Sequence, residues 1–360
     1  MFELQTFPAR DGDAFILTWG SAEQPHRMLI DCGREGCWPV VKAAVLALPP
    51  NEREFELLVV THIDADHIAG VLKMLNDPAR PLRFREVWFN GYEHLREFSE
   101  TFGPGQGEKL STILEASPQT WNTRFGHAAV VVRDPSDPPR LDIEGLQLTL
   151  LSPTPAKLAK LEQEWLDWLK REGLEPDRPL RPAATPVGKE PDGFEHFGGR
   201  PDVAALAAEP LPRDNEPPNG SSIAFAAQFG AIRILLTGDA HADVMSAALE
   251  ALPAAERRYH LVKLSHHGSR GNISAALASA WDADTFLIST DGSHHQHPDA
   301  QTIARLITAR PGSKTFYFNH HHEQAAVWDD ASLMADHNYR AAYPDVPGCL
   351  ILDLEALRQG

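Results

Sequence analysis

Apolar positions fall into short blocks of two kinds. Strand-length runs occur at Phe15–Trp19, Met28–Ile30, Phe55–Val60, Glu86–Phe89, Ala128–Val132 and Leu146–Leu151. Further runs follow at Ser222–Gln228, Ala231–Leu236, Leu261–Ser265, Thr285–Ser289 and Thr315–Phe318, with an edge strand expected within Cys349–Leu354. Blocks with helical spacing lie between them: Val40–Leu48, stopped by Pro49-Pro50, then Ile68–Leu75, Ala156–Lys170, Ala242–Leu252, Ala275–Trp281 and Thr302–Ala309. The longest, Ala156–Lys170, follows a Ser152/Thr154 cap region and sets Leu158, Leu161, Trp165 and Leu169 on one face. Alternating strands and helices predict α/β layering.

Residues 173–218 break the pattern. Ten of the 29 prolines fall there and large apolar side chains are few, so the segment reads as a mobile or irregular insertion. The expectation is one domain over 1–360 carrying that insertion. Composition adds exclusions: 42% apolar and 23% charged residues suit a globular chain with a core. No run approaches the roughly 18–20 apolar residues that span a bilayer, and the N-terminal segment does not read as a secretory leader. Only Cys32, Cys37 and Cys349 occur, without a CxxC pair, so no disulfide framework is expected and a reducing cytoplasm fits best. A net charge of −17 disfavours broad nonspecific binding to duplex nucleic acid.

The seventeen histidines cluster, and the clusters follow strands. Thr61-His62-Ile63-Asp64-Ala65-Asp66-His67 puts two histidines and two aspartates in six residues directly after a buried strand. His62 and Asp64, two apart, project to one side of an extended chain, and Asp66 and His67 lie where it turns into a helix. Imidazole and carboxylate in that arrangement suit zinc, manganese or iron. Asp239, in Thr237-Gly238-Asp239, either caps the next helix or bridges two cations through its two oxygens. Ser265-His266-His267-Gly268-Ser269 ends another strand, and His294-His295-Gln296-His297-Pro298 follows a third. With Asp31 also at a strand end, these groups should converge on the carboxyl edge of a sheet, where α/β folds bind ligands.

Together these segments resemble the metallo-β-lactamase-fold superfamily, whose four-layer αβ/βα sandwich carries metal-dependent hydrolases. The commonest signature there is HxHxDH; here Asp64 stands at the second histidine. This HxDxDH variant, with Asn219-Gly220-Ser221-Ser222, Thr237-Gly238-Asp239 and His266-His267-Gly268-Ser269, resembles the hydrolase domain of the DNA-uptake channel ComEC. Asp11-Gly12-Asp13-Ala14, Ile30-Asp31-Cys32-Gly33 and His297-Pro298 extend the likeness, which runs from about Phe2 to Leu306. The resemblance implies a two-metal centre: His62 and Asp64 on one cation, Asp66 and His67 on the other, Asp239 bridging. One of His266 and His267 completes a shell, taken as His267. The family's middle ligand histidine has no match except His127 or His196. The carboxylate-rich set favours manganese, with zinc the alternative.

The implied reaction is hydrolysis by a metal-bridging hydroxide. Asp66 orients the water, and His266 or His297 protonates the leaving oxygen. Lys263 and Arg270 flank the histidine pair and either steady an anionic substrate or, for Lys263, point to solvent; Asn219 and Ser222 either bond across the pocket wall or shape a turn. The expected substrate is a phosphodiester, either single-stranded nucleic acid or a smaller phosphate ester. A carboxyl-derived bond (lactone, thioester, β-lactam) and a non-catalytic metal module within a protein assembly are the alternatives.

Overall fold

A computed structural model describes residues 1–95, 105–116, 120–172, 200–210 and 212–359. Its strands, in chain order, are β1 (Phe2–Thr6), β2 (Phe15–Gly20), β3 (Pro25–Ile30), β4 (Glu54–Val59), β5 (Arg83–Trp88), β6 (Arg140–Ile143) and β7 (Leu146–Ser152). Then come β8 (Ala224–Phe229), β9 (Ile232–Leu236), β10 (Leu261–Lys263), β11 (Thr285–Ile288), β12 (Lys314–Phe318), β13 (Tyr339–Ala342) and β14 (Ile351–Asp353). One sheet runs β14-β1-β2-β3-β4-β5; the other runs β13-β12-β11-β10-β9-β8-β7-β6. Strands β3, β4 and β5 are parallel to one another, as are β9 through β13.

The sheets face each other across a shared apolar layer, in which Leu4, Leu17 and Trp19 meet Leu148, Phe225 and Ile234. Behind the first sheet, Ile16, Leu29 and Leu58 pack on Val41 and Val45 of the helix Trp38–Ala47 and on Ile68 and Val71 of the helix Ala65–Leu75. Behind the second, Leu235, Val262 and Phe286 pack on the helices Ala242–Ala251, Ala275–Ala280 and Ala300–Ala309. The result is the αβ/βα sandwich that the resemblance implies. Strands covered on both faces have no polar side, which is why they read as unbroken apolar runs. Each fully buried large apolar side chain contributes roughly 1.5–3 kcal/mol.

Two sequence expectations need correction. Ala128–Val132 is not a strand, although Ala129–Val132 is buried. The Asn90 side-chain amide takes the place of a neighbouring strand, donating to Val130 O at 2.9 Å and accepting from Val130 N at 2.8 Å. Nor is the whole of 173–218 irregular. Residues 173–199 and 211 lie outside the described residues, but the helix Val203–Ala208 buries Val203 and Leu206 in the outer core of the second sheet. Gln301 and the buried Arg305 then hold Glu209, at 2.6 and 2.9 Å. Two apolar anchors and one buried arginine order a segment whose composition suggests none.

His94 gives the fold an acid-sensitive point. It is 4% exposed, edge-on to Trp121, and accepts from Asn122 Nδ2 at 3.4 Å. Burial pushes its pKa down to about 4. The unfolded chain therefore takes up this proton first, so the contribution is complete above about pH 6.5 and lost as pH falls through about 4, roughly 3 kcal/mol in all. In denaturant titrations, His94→Gln is expected to lose roughly 2 kcal/mol less stability than the parent between pH 7 and 4.5. Identical pH slopes would contradict this assignment.

Candidate metal centre

The centre is built on two parallel strands that end side by side. Ile30 of β3 is in register with Val59 of β4, so Asp31 and Thr61 emerge together at the carboxyl edge. Asp31 is fully buried with φ +54°, a left-handed turn that swings its carboxylate across the strand ends. Its Oδ1 accepts from Thr61 N at 2.8 Å; its Oδ2 accepts from Thr61 Oγ1 and from His67 Nδ1, both at 2.7 Å. Having donated to Asp31, the Thr61 hydroxyl accepts from His62 Nδ1 at 3.0 Å. At the second sheet, His267 Nδ1 donates to Ser289 O at 2.8 Å. Three rings are thus tied at Nδ1, leaving Nε2 of each for the interior, the arrangement that orients metal-binding imidazoles. Backbone fit holds the loops: a Cβ on Gly12 would lie 1.7 Å from Asp66 O, and one on Gly70 would lie 1.9 Å from Cys32 O.

The inward atoms form a compact set. His67 Nε2, His267 Nε2 and Asp239 Oδ2 stand 3.4, 3.5 and 3.4 Å apart. Ligands about 2.1 Å from a tetrahedral ion are separated by about 3.4 Å, so this triangle already has the required edges. Asp66 Oδ2 lies 3.7 Å from His67 Nε2 and 3.5 Å from His267 Nε2. A looser set adjoins it, where His62 Nε2 is 3.5 Å from Asp64 Oδ2 and 3.9 Å from Asp239 Oδ2. Asp239 Oδ2 is common to both. The buried atoms His62 Nε2, Asp13 Oδ1 and Asp239 Oδ1 have no hydrogen-bond partner. Buried polar groups left so are costly unless something else satisfies them.

Charge leads to the same conclusion. Asp13, Asp31 and Asp239 are buried together, with Asp66 at the rim. Burial opposes ionisation of Asp239, but His267, His67 and His266 hold its carboxyl well below the usual range. Burial likewise opposes protonation of His67 and His267, yet the facing carboxylates, Asp239 foremost, push both well above the ordinary histidine value. Without another cation, the centre draws protons to balance its acids. The nitrogen and oxygen donors, their spacing and this demand for positive charge all fit a divalent metal.

The structure brings together His62, Asp66, His67, Asp239 and His267, with Asp64 at the exposed margin. His266 stands beside them rather than among them. Its Nε2 is 4.0 Å from Asp239 Oδ2, and its Nδ1 contacts Asn272 Oδ1 at 3.1 Å and Asp214 Oδ2 at 3.3 Å. The buried His297 packs its ring 5.2 Å from that of His266, with Nδ1 3.5 Å from Asp299. Two substrate expectations are corrected, and Asn219 keeps a contact with the site. Lys263 is 1% exposed, ion-paired with Asp13 and donating to Gly238 O at 3.0 Å, because its strand position directs it between the sheets. The fully buried Ser222 accepts from Asp239 N at 3.1 Å, and the buried Asn219 donates to Asp214 at 2.8 Å. Ser222 shapes the scaffold, whereas Asn219 Nδ2 also lies 3.3 Å from His266 Nδ1.

His127 is not among the candidate metal groups of the described residues; its Nδ1 bonds Trp121 O at 2.9 Å, and His196 lies outside the described residues. Asp13, Asp214 and Asn272 are the participants that sequence reasoning left unassigned. Asp13 was within reach, since Asp11-Gly12-Asp13 stands out as an acidic turn before a strand. Asp214 had no signal, lying among the prolines of 173–218. Burial works against its charge, but bonds from His241, His266 and Asn272 hold its carboxyl well below the usual range.

No protein-family model matches the chain, and no curated protein matches it. Solved structures similar to it include the metallo-β-lactamase-fold protein YhfI from Bacillus subtilis, at 8% identity and a TM-score of 0.41 over 98% of this chain and 99% of that one. Zn(2+)-bound PqqB from Methylobacterium extorquens is similar at 12% identity and a TM-score of 0.39, over 95% and 87% of the two chains. A diphosphatase from the PhnP family is similar at 12% identity and a TM-score of 0.36, over 95% and 83%. Among the described residues, no helix is long and apolar enough to cross a membrane.

Because Asp31 orients two of the three rings, Asp31→Asn is expected to weaken Mn²⁺ or Zn²⁺ binding about 10–100-fold in calorimetric titrations while circular dichroism stays native. Undiminished affinity would show that the rings are oriented by other means.

Proposed function

We propose that this chain is a metal-dependent hydrolase acting on phosphodiesters, in single-stranded nucleic acid or in smaller phosphate esters. The observation that carries the reading is the triangle of His67, His267 and Asp239, set at the edge lengths of a metal shell with the His62–Asp64 pair beside it. In this reading His67, His267, Asp239 and Asp66 hold one cation. His62 and Asp64 would hold a second beside Asp239. Manganese or zinc, when bound, supplies a water acidified toward neutrality and positive charge for the attacked centre.

The chain's own residues divide the remaining work. Asp66, with its side chain 20% exposed, reaches the mouth and orients the attacking water. His266, 23% exposed at its side chain, is held at Nδ1 by Asp214 and Asn272, so Nε2 faces the reacting group as proton donor to the leaving oxygen. His297 backs that ring and is the alternative donor. Burial and nearby imidazoles keep His297 below the usual histidine value, although Asp299 opposes the shift. The three free cysteines, two of them buried, agree with a reducing compartment such as the cytoplasm.

The test is a panel of substrates offered to the manganese- or zinc-loaded protein: bis(p-nitrophenyl) phosphate, single-stranded DNA, RNA, cyclic nucleotides and neutral carboxyl esters. Diester cleavage is expected, and His62→Ala and Asp239→Asn should each reduce it at least about 10³-fold without loss of fold. Cleavage of the neutral esters alone would shift the reading to a carboxyl-derived bond. A bound metal without turnover on any member would shift it to a binding module.

A further inference from the structure

Among the candidate metal groups at the centre, Asp13, Asp239 and His267 form one that already contains a cation. Lys263 is the last residue of β10, between β9 and β11 in the second sheet. Leu261 faces the layer between the sheets, so Lys263, two residues on, faces it as well. Its Nζ pairs with Asp13, just before β2 of the first sheet; on its own sheet, just beyond β9, it donates to Gly238 O at 3.0 Å and stands 3.6 Å from Asp239 Oδ1. Asp13 in turn lies 3.5 Å from His267 Nδ1. Both side chains of the Lys263–Asp13 pair are 2% exposed or less.

The two oxygens of Asp239 therefore have different occupations. Oδ1 is turned toward the ammonium, and Oδ2 faces His62, His67, His266 and His267 at 3.4–4.0 Å. Sequence reasoning expected Asp239 to bridge two ions with one oxygen each. In the structure Oδ1 lies beside the ammonium without a hydrogen bond to it, and Oδ2 is the oxygen turned to the imidazoles.

We propose that Lys263 is a resident cation of the metal centre: its ammonium occupies the place between Asp13 and Asp239 that a divalent ion would otherwise take, and it restricts Asp239 to Oδ2 as metal donor. The proposal rests on the metal reading above and adds to it a built-in limit on loading. A lysine is costly to bury unless it is paired, and two carboxylates stripped of their partner are costlier still. Without the ammonium, the oxygens of Asp13, Asp239 and Gly238 O form a hard-donor pocket suited to Mn²⁺. Lys263 is thus a positioning residue for the metal complement, with no contact to substrate.

The experiment counts metal. Wild-type chain and variants are equilibrated with saturating Mn²⁺, and Mn per folded chain is measured by elemental analysis, with circular dichroism as the folding check. Lys263→Met should bind one more equivalent than wild type, and the double variant Lys263→Met with Asp13→Asn should return to the wild-type count. Lys263→Arg, keeping the charge, should not gain an ion. A folded Lys263→Met with the wild-type count would overturn the proposal, whereas a wild-type chain binding no Mn²⁺ would instead overturn the metal reading beneath it. Manganese anomalous scattering from wild-type crystals gives a test independent of the variants' folding. Peaks confined to the His67 side of Asp239 agree with the proposal, and a peak between Asp13 and Asp239 contradicts it.

Discussion

The centre depends on one buried carboxylate. Asp31 sits at the end of β3 with no exposed surface, and everything it accepts comes from the neighbouring strand end or from the helix that follows it. An ionised group so placed is tolerable only if all its acceptor capacity is used; removing one partner of such a buried set typically costs 3–5 kcal/mol. The same bonds that stabilise Asp31 fix Thr61, and through Thr61 and His67 they fix two imidazoles. Fold stability and ring orientation therefore arise from a single set of contacts. The second sheet contributes separately, through the Ser289 carbonyl on His267 and the Ser222 hydroxyl on the Asp239 amide.

The site occupies the edge where the two sheets' parallel strands end. Residues from β3, β4, β9 and β10 ends meet there because the sheets share one apolar layer and their strand ends open onto the same side. Acids and imidazoles from both sheets then crowd a volume too small for their like charges to coexist unaided. Lys263, paired with Asp13, supplies a permanent positive charge within it. Protons on His67 and His267 supply more in the metal-free protein, and bound cations would release them.

Much of this was legible in the sequence, for identifiable reasons. Doubly covered strands leave unbroken apolar runs, and acidic and histidine residues just beyond those runs mark the carboxyl edge, so His62, His67, Asp239 and His267 could be found without coordinates. What escaped depends on contacts made by side chains far apart along the chain. Lys263 reads as a cation for an anionic substrate because nothing local announces Asp13. Asn90 replaces a strand with its amide, so Ala128–Val132 carries a strand's composition without its ladder. Asp214 arrives at His266 on a segment whose prolines suggest irregularity, and bonds from Asn219, Asn272 and His266 hold it there.

The central claim is that His67, His267 and Asp239 surround a common ion, and X-ray absorption on the zinc-loaded protein addresses it directly. The expected spectrum has a first shell of nitrogen and oxygen at about 2.0–2.1 Å. It should carry the outer-shell scattering of two or more imidazoles, reduced when His67 is replaced by alanine. A shell of oxygens alone, indifferent to the loss of His67, would contradict the account.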